Sequence, residues 1–357
     1  MYKFGVNIQL AVIAMGSLFP GLPDEIGWEC LLRVKLNSHH NLRCVCKSWN
    51  AALKSPHFYQ QRKRLNISEQ WICMLLKIDD ICNRVAVYDL EKNSFKFLPP
   101  IPAEIKNTFH CHFVKQKLVL IPDFFLDTAR SYVWLYDFAC LKWRQGAKMP
   151  KWLNGFASAA DEHGGLIYIG GGFAQGCIFR RLSRSAFVYN VEEDKWDVLP
   201  NMNTSMESSI RGVFADGKFY VMGYSGYGTF DVFDSYTRSW KTMENRFNSW
   251  CYVCVSGRFY CLSGRGLIEY DYTQDELHSL GPILTQDWAR SIDWARSIDF
   301  AVVVSNKIFV SKRNIIQGQH YWMIEPPSER GGTFKLINTL GPSELQGSTI
   351  HVATLDL

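Results

Sequence analysis

At 357 residues the chain exceeds what one hydrophobic core ordinarily organises, so two units, or one core plus repeats, are expected. Hydrophobic residues make up 47% and charged residues 20%, which argues against long disorder, and a net charge of +5 from scattered basic residues argues against nucleic acid as a partner. The 11 cysteines are odd in number and follow neither a metal-ligand spacing nor a disulfide framework, so a reducing compartment, cytoplasm and/or nucleus, is expected.

In chain order, residues 1–17 read as an N-terminal extension. Their apolar run, Leu10 to Met15, is short for a secretory signal and is interrupted upstream by Asn7 and Gln9. No apolar stretch approaches the ~20 residues that span a bilayer, so no membrane partner is expected. From Leu22 the sequence LPDEIGWECLLRV places Pro23, Asp24 and Glu25 where the first turn of a helix accepts proline and acids. Ile26, Cys30, Leu31 and Val34 then recur at helical spacing. A second amphipathic run aligns Leu42, Val45, Cys46, Trp49 and Leu53, and Ser55-Pro56 opens a third helix through Phe58, Arg62 and Leu65. This unit, residues 18–66, is too small to bury much core alone, so a partner surface would supply the missing burial.

Leu22-Pro23, the helix end from Leu31 to Val34, Val45-Cys46-Lys47-Ser48-Trp49 and Pro56-His57-Phe58 together resemble an F-box, in particular that of plant F-box/kelch proteins. The resemblance implies docking to the Skp-type adaptor subunit of an SCF ubiquitin ligase, and through it to a cullin. Carried over by position, Leu22, Pro23, Ile26, Leu31, Val34, Leu42, Val45 and Trp49 either dock on the adaptor or form the module's own core. The basic run Arg62, Lys63 and Arg64 reads as a solvated helix face. Cys44 and Cys46, two apart on a helix, point to different sides and do not chelate a metal together.

Past residue 70 the texture changes to short alternating runs broken by Gly, Asp, Asn and Pro, the mark of many short strands. Five times an aromatic residue followed by Asp or Asn is answered, seven residues after the aromatic, by another large apolar residue. The instances are Tyr88 with Phe95, Tyr136 with Trp143, Tyr189 with Trp196, Phe233 with Trp240 and Tyr270 with Leu277. The spacing reads as a strand, an Asp- or Asn-favoured turn and a return strand whose large residue packs between sheets. Glycine-containing turns such as Asp216-Gly217 and Ser256-Gly257 mark a second hairpin upstream, which makes each repeat four-stranded.

These units resemble kelch repeats. Gly171-Gly172 keeps the family's glycine doublet at the end of the second strand, whereas Pro122-Asp123, Gly223-Tyr224, Ser263-Gly264 and Ser311-Lys312 replace it elsewhere. The expected fold is therefore α plus all-β: a three-helix F-box, then a kelch-type β-propeller over residues 71–357. Its six blades are expected at about 71–102, 109–150, 156–203, 210–245, 250–284 and 299–342, with residues 348–357 as the closing strand. The sixth is marked by Ile308 to Val310 and Phe334. The tandem hexapeptide DWARSI, Asp287–Ile292 and Asp293–Ile298, reads as a duplication in a tolerant loop.

No nucleophile elbow, Walker loop or zinc-protease motif is present, and Gly170-Gly171-Gly172 ends a strand without opening a helix. His110 and His112 share a strand face with no third ligand apparent, and Glu192, Glu193 and Asp194 read as solvated turn residues. No catalytic residue, metal or cofactor is expected. The function expected is a non-enzymatic substrate receptor of a ubiquitin ligase; the alternatives are a kelch scaffold outside any ligase and a metal-dependent propeller enzyme. In kelch domains targets sit on loops after the second strand and loops leading into each blade. Those loops here carry Trp152, Asn154, Arg180, Arg181, Glu207, Tyr224, Tyr227, Arg246, Trp250 and Arg265. Plant proteins of this pattern include receptors for phenylalanine ammonia-lyase and for cytokinin response regulators, so either is a candidate protein target.

Overall fold

A computed structural model describes residues 18–65, 67, 69–77, 83–89, 94–101, 108–124, 131–138, 140–161, 164–174, 181–206, 208–224, 228–244, 251–263, 266–271, 276–281, 298–304, 306–314, 318–329, 332, 335–340 and 348–356. The N-terminal extension, Phe334 and nearly all of the DWARSI duplication lie outside this set.

The helical unit has four helices rather than the three expected: α1 (Asp24–Leu32), α2 (Leu36–Arg43), α3 (Lys47–Lys54) and α4 (Pro56–Arg64). The amphipathic run through Leu42 and Leu53 is interrupted because Cys46 takes an extended conformation (φ −156°, ψ 168°) and caps α3, its thiol accepting the Trp49 N–H. The break turns Val45 outward. Cys44 and Cys46 are therefore not two positions of one helix as the sequence suggests. In α1 the buried face is Gly27, Trp28, Leu31 and Leu32, not the stripe through Ile26 and Cys30. Trp28 decides this register: its ring packs edge-on against Phe58, 5.7 Å between centroids, and the indole takes the core position.

Beyond residue 69 the described residues form six four-stranded antiparallel sheets and one small three-stranded sheet. Sheet 1 is Ser348–Asp356, Gln70–Lys77, Asn83–Asp89 and Ser94–Phe97; sheet 2 is Thr108–Val114, Lys117–Phe124, Tyr132–Asp137 and Lys142–Lys148. Sheet 3 is Ala157–Asp161, Leu166–Gly170, Ala186–Asn190 and Lys195–Leu199; sheet 4 is Ser208–Ala215, Lys218–Tyr224, Thr229–Asp234 and Ser239–Glu244. Sheet 5 is Cys251–Val255, Arg258–Ser263, Gly266–Asp271 and Glu276–Gly281; sheet 6 is Ile298–Val304, Lys307–Asn314, Gly318–Glu325 and Lys335–Leu340. The small sheet joins Leu153–Asn154, Phe173–Ala174 and Arg181–Leu182. A few helices followed by many antiparallel sheets are consistent with a kelch-type propeller.

The seven-residue spacing has a direct structural cause. Tyr88 and Phe95, Tyr136 and Trp143, Tyr189 and Trp196, Phe233 and Trp240, and Tyr270 and Leu277 are each directly opposed across the third and fourth strands of their sheet. The acid or amide after the aromatic caps the turn between them: Asp137 accepts from the Cys140 N–H, Asn190 from Glu192 and Glu193, and Asp234 from Tyr236 and Thr237. Two of the three tryptophans then reach back to the preceding sheet, whereas Trp196 Nε1 finds no partner among the described residues. Trp143 Nε1 donates to the Pro99 carbonyl at 2.8 Å and Trp240 Nε1 to that of Pro200 at 2.7 Å.

Alternation along the leading strands packs one sheet on the next. In Thr108–Val114, Phe109, Cys111 and Phe113 join Cys73 and Leu75 of sheet 1, while Val114 joins Phe156, Ile167 and Phe187 of sheet 3. Asp194 corrects the reading of a solvated turn acid. It pairs with Arg144 at 2.7 Å and accepts from the Ala147 N–H and the Tyr189 hydroxyl, tying sheet 3 to sheet 2, while Glu192 and Glu193 are exposed. Burial opposes its charge, but these hydrogen bonds, Tyr189's first, hold its carboxyl below the ordinary range.

Two changes test this packing. Gly172 has φ +77°, and a Cβ there would lie 2.6 Å from the Asn154 carbonyl oxygen, whereas Gly257, at φ +75°, has open space around it. Gly172→Ala is expected to cost about 2–4 kcal/mol and Gly257→Ala about 1 kcal/mol, read from denaturant midpoints. Residues Ser348–Asp356 pair along Gln70–Lys77, so deleting 348–357 exposes that edge and is expected to lower the melting temperature by about 5 °C or more.

Candidate functional site

The eight apolar candidates of the helical unit divide by burial. Leu31 is 1% exposed and belongs to the core with Trp28, Leu32, Leu53 and Phe58; Leu42 and Trp49 pack against that core, and Trp49 Nε1 donates to the Leu18 carbonyl at 2.7 Å. Leu22 and Val34 are half-buried. Ile26, 50% exposed, and Val45, 61% exposed, stand in solvent with Pro23.

Arg62 corrects the reading of a solvated basic face, although Arg64 is exposed. It is 2% exposed, and its guanidinium donates to the carbonyls of Leu32, Val34 and Ile67 and to Glu69 Oε1 at 3.3 Å. Those carbonyls are orphaned at the end of α1 and in the segment after α4, and five fixed donors on one side chain satisfy them together. Glu69 Oε1 also accepts the Leu36 N–H at 2.7 Å. On the far side of α2, Arg43 donates to the Phe138 carbonyl at 3.3 Å, and Leu36 packs on the cluster around Phe113 and Phe138. The helical unit thus sits at the end of sheet 2 that carries the turns between strands one and two and between strands three and four.

At the opposite end lie the loops after second strands and those leading into each sheet. The small sheet brings two of the recognition candidates together: Asn154 pairs with Phe173, and Arg181 with Ala174 on the other side. Trp152 precedes it, half-buried, and Tyr224 ends the second strand of sheet 4. Arg180, Glu207, Tyr227, Arg246, Trp250 and Arg265 lie outside the described residues.

Between these loops and the middle of the sheets is a cavity of about 290 Å³ lined by the leading strands of sheets 2–6. His110 and His112 are there, and the partners missing from the sequence reading are Ser158 and Asp123. Ser158 Oγ lies 2.7 Å from His110 Nδ1 and 2.8 Å from His112 Nε2; His110 Nε2 lies 3.5 Å from Asp123 Oδ2. Asp123 Oδ1 accepts the Gly155 N–H at 2.5 Å, and the His110 ring stacks on Phe156, 4.5 Å between centroids. Burial, reinforced by the neighbouring His110, pushes the His112 pKa down to about 3, so its imidazole is neutral. Among the described residues no group of three His, Cys, Asp or Glu side chains is placed to hold a metal, and no helix is long and apolar enough to cross a membrane.

Known proteins match both halves. The F-box domain matches residues 19–61 and the Kelch motif residues 157–203, which is sheet 3, the unit with the intact glycine doublet. An F-box/kelch-repeat protein of Arabidopsis thaliana is 31% identical over 60% of this chain and 63% of its own length. The Arabidopsis F-box/kelch-repeat protein SKIP30 is 28% identical over 71% of this chain and 73% of its own. The chain therefore carries an F-box domain and a Kelch motif and is similar to plant F-box/kelch-repeat proteins. A chain from the crystal structure of a nidogen/laminin complex has a similar fold, with a TM-score of 0.54 at 9% identity, covering 80% of this chain and 98% of that one.

The F-box core carries its own pH dependence. His39 Nε2 donates to the Val34 carbonyl at 3.0 Å, and burial pushes the pKa down from 6.5 to about 4. The unfolded chain therefore binds more protons than the folded one between those values, so stability falls as the pH drops through 6.5 toward 4. From pH 7 to pH 5 this group is expected to remove about 2 kcal/mol. Denaturant melts at the two pH values are expected to show that much less loss in His39→Gln than in the unaltered protein.

Proposed function

We propose that this protein is the substrate-recognition adaptor of an SCF-type ubiquitin ligase: the F-box docks on a Skp-type subunit, and through it a cullin, while the kelch domain holds a protein target for ubiquitination. The observation that carries the reading is an F-box with Ile26 and Val45 exposed, anchored through Arg43 to the turn end of sheet 2. The loops at the other end of the sheets are thereby left for a target. In this reading the chain lends proximity, and no reactive group, to ubiquitin transfer, raising the effective concentration of target near the charged conjugating enzyme.

The six sheets are taken as six blades of one ring, with Ser348–Asp356 supplying the inner strand of the first. Two observations support this. The leading strands of sheets 2 to 6 touch in succession, and those of sheets 2 and 6 both touch Ser348–Asp356. A target binds over the loop end around Asn154, Arg181 and Trp152; phenylalanine ammonia-lyase and response regulators are the first to test, in the cytoplasm and/or nucleus.

The measurement is binding of purified Skp-type subunit to the full chain. The double variant Ile26→Asp, Val45→Asp is expected to lose at least about 100-fold in affinity with an unchanged melting temperature, because both side chains face solvent. Leu31→Asp is expected to lose binding by unfolding the module, since it buries a charge in the core. Failure of the unaltered chain to bind would overturn the reading.

A further inference from the structure

We propose that the central cavity is an acyl-transfer site, with Ser158 as nucleophile, His110 as its base and Asp123 as the positioning residue that orients the base. The adaptor role uses none of these three, and their arrangement is that of a nucleophile, a base within hydrogen-bond reach and a carboxylate at ion-pair distance from the base.

The direction of each hydrogen bond follows from what the groups can do. His110 Nε2 lies 3.5 Å from Asp123 Oδ2, an ion-pair contact and not a hydrogen bond, so the carboxylate acts on the base through its charge. His110 Nδ1 faces the serine as acceptor, and Ser158 donates its hydroxyl proton there over 2.7 Å. With that proton directed away, the serine oxygen's lone pairs are free to accept from His112 Nε2, at 2.8 Å. The order is therefore Asp123, His110, Ser158, with the serine polarised toward its base. The base is fixed from two further directions: Phe156 stacks on its ring, and the Gly155 N–H holds Asp123. Such fixed geometry is what general-base catalysis needs.

The cavity that Ser158 lines, about 290 Å³, is at the small end of ligand sites and suits an ester with a short acyl chain. Ser158 Oγ attacks the carbonyl carbon while its proton passes to His110 Nδ1. The ester C–O bond breaks as His110 returns that proton to the leaving alkoxide. A water deprotonated by the same nitrogen attacks the acyl-serine, releases the carboxylic acid and restores the hydroxyl. One ester and one water become one alcohol and one acid, with no change of oxidation state. His112 Nε2–H, already at the attacking oxygen, is the donor nearest the charge that develops on the carbonyl oxygen.

The test uses the full-length chain, a fluorophosphonate probe and p-nitrophenyl acetate. The unaltered protein is expected to take one phosphonyl adduct, mapped to Ser158, and to hydrolyse the ester. Ser158→Ala and His110→Gln are expected to lower hydrolysis by about 100-fold or more at unchanged melting temperature. Asp123→Asn is expected to retain the adduct, label more slowly and shift the pH–rate profile, which a merely structural residue would not do. No adduct at Ser158 in the unaltered protein, or hydrolysis that survives Ser158→Ala, would overturn the proposal. Because the decisive readout is made on the unaltered chain, misfolding of a variant cannot mask it. Skp-type subunit binding should be indifferent to Ser158→Ala, which separates this site from the adaptor reading.

Discussion

Four of the six sheets are built on one repeated contact, the aromatic pair opposed across the third and fourth strands. A hairpin turn of fixed length places the two rings seven residues apart in sequence and directly opposite in space. Ring centroids 5.1 Å apart for Tyr136 and Trp143, and 4.9 Å for Tyr189 and Trp196, bury apolar area on the outer half of each sheet. At Trp143 and Trp240, though not at Trp196, the indole N–H reaches the proline carbonyl of the preceding unit, so one side chain serves its own hairpin and the joint between sheets. The contact is local and repeats, so losing the glycine doublet in most units leaves the architecture intact.

The joint between the F-box and the β-domain rests on different physics. Arg62 and Glu69 form a buried pair, but the pair is fastened by backbone carbonyls that would otherwise go unsatisfied. Desolvation opposes a buried guanidinium, and the acceptors at its two terminal nitrogens offset that cost, although Nε finds no partner among the described residues. Arg43 and Leu36 then carry the module onto the turn end of sheet 2. The result fixes which end of the β-domain faces the F-box and which is left open.

The cavity cluster arises at the boundary of sheets 2 and 3, where two leading strands present His110, His112 and Ser158 to each other at a place otherwise filled by apolar residues. Asp123 enters it because the second strand of sheet 2 ends in Pro-Asp where sheet 3 has Gly-Gly. A departure from the repeat pattern in one unit has thus put a carboxylate beside a histidine of the next strand.

Much of this was legible in the chain. The seven-residue spacing fixed the hairpin register, because side chains alternate with period two and a turn of set length leaves one pairing only. The F-box segments stood out by type and order. Tertiary structure alone decided what periodicity cannot carry. A helical stripe does not say which of two apolar faces turns inward; Trp28 settled it by packing on Phe58 and left Ile26 outside. Charge does not say whether an arginine is solvated, and Arg62 is buried because carbonyls distant in sequence converge on it. Nor could Ser158, in the unremarkable run ASAAD, be matched to His110 and Asp123, since three strands of two sheets meet there only once the sheets have packed.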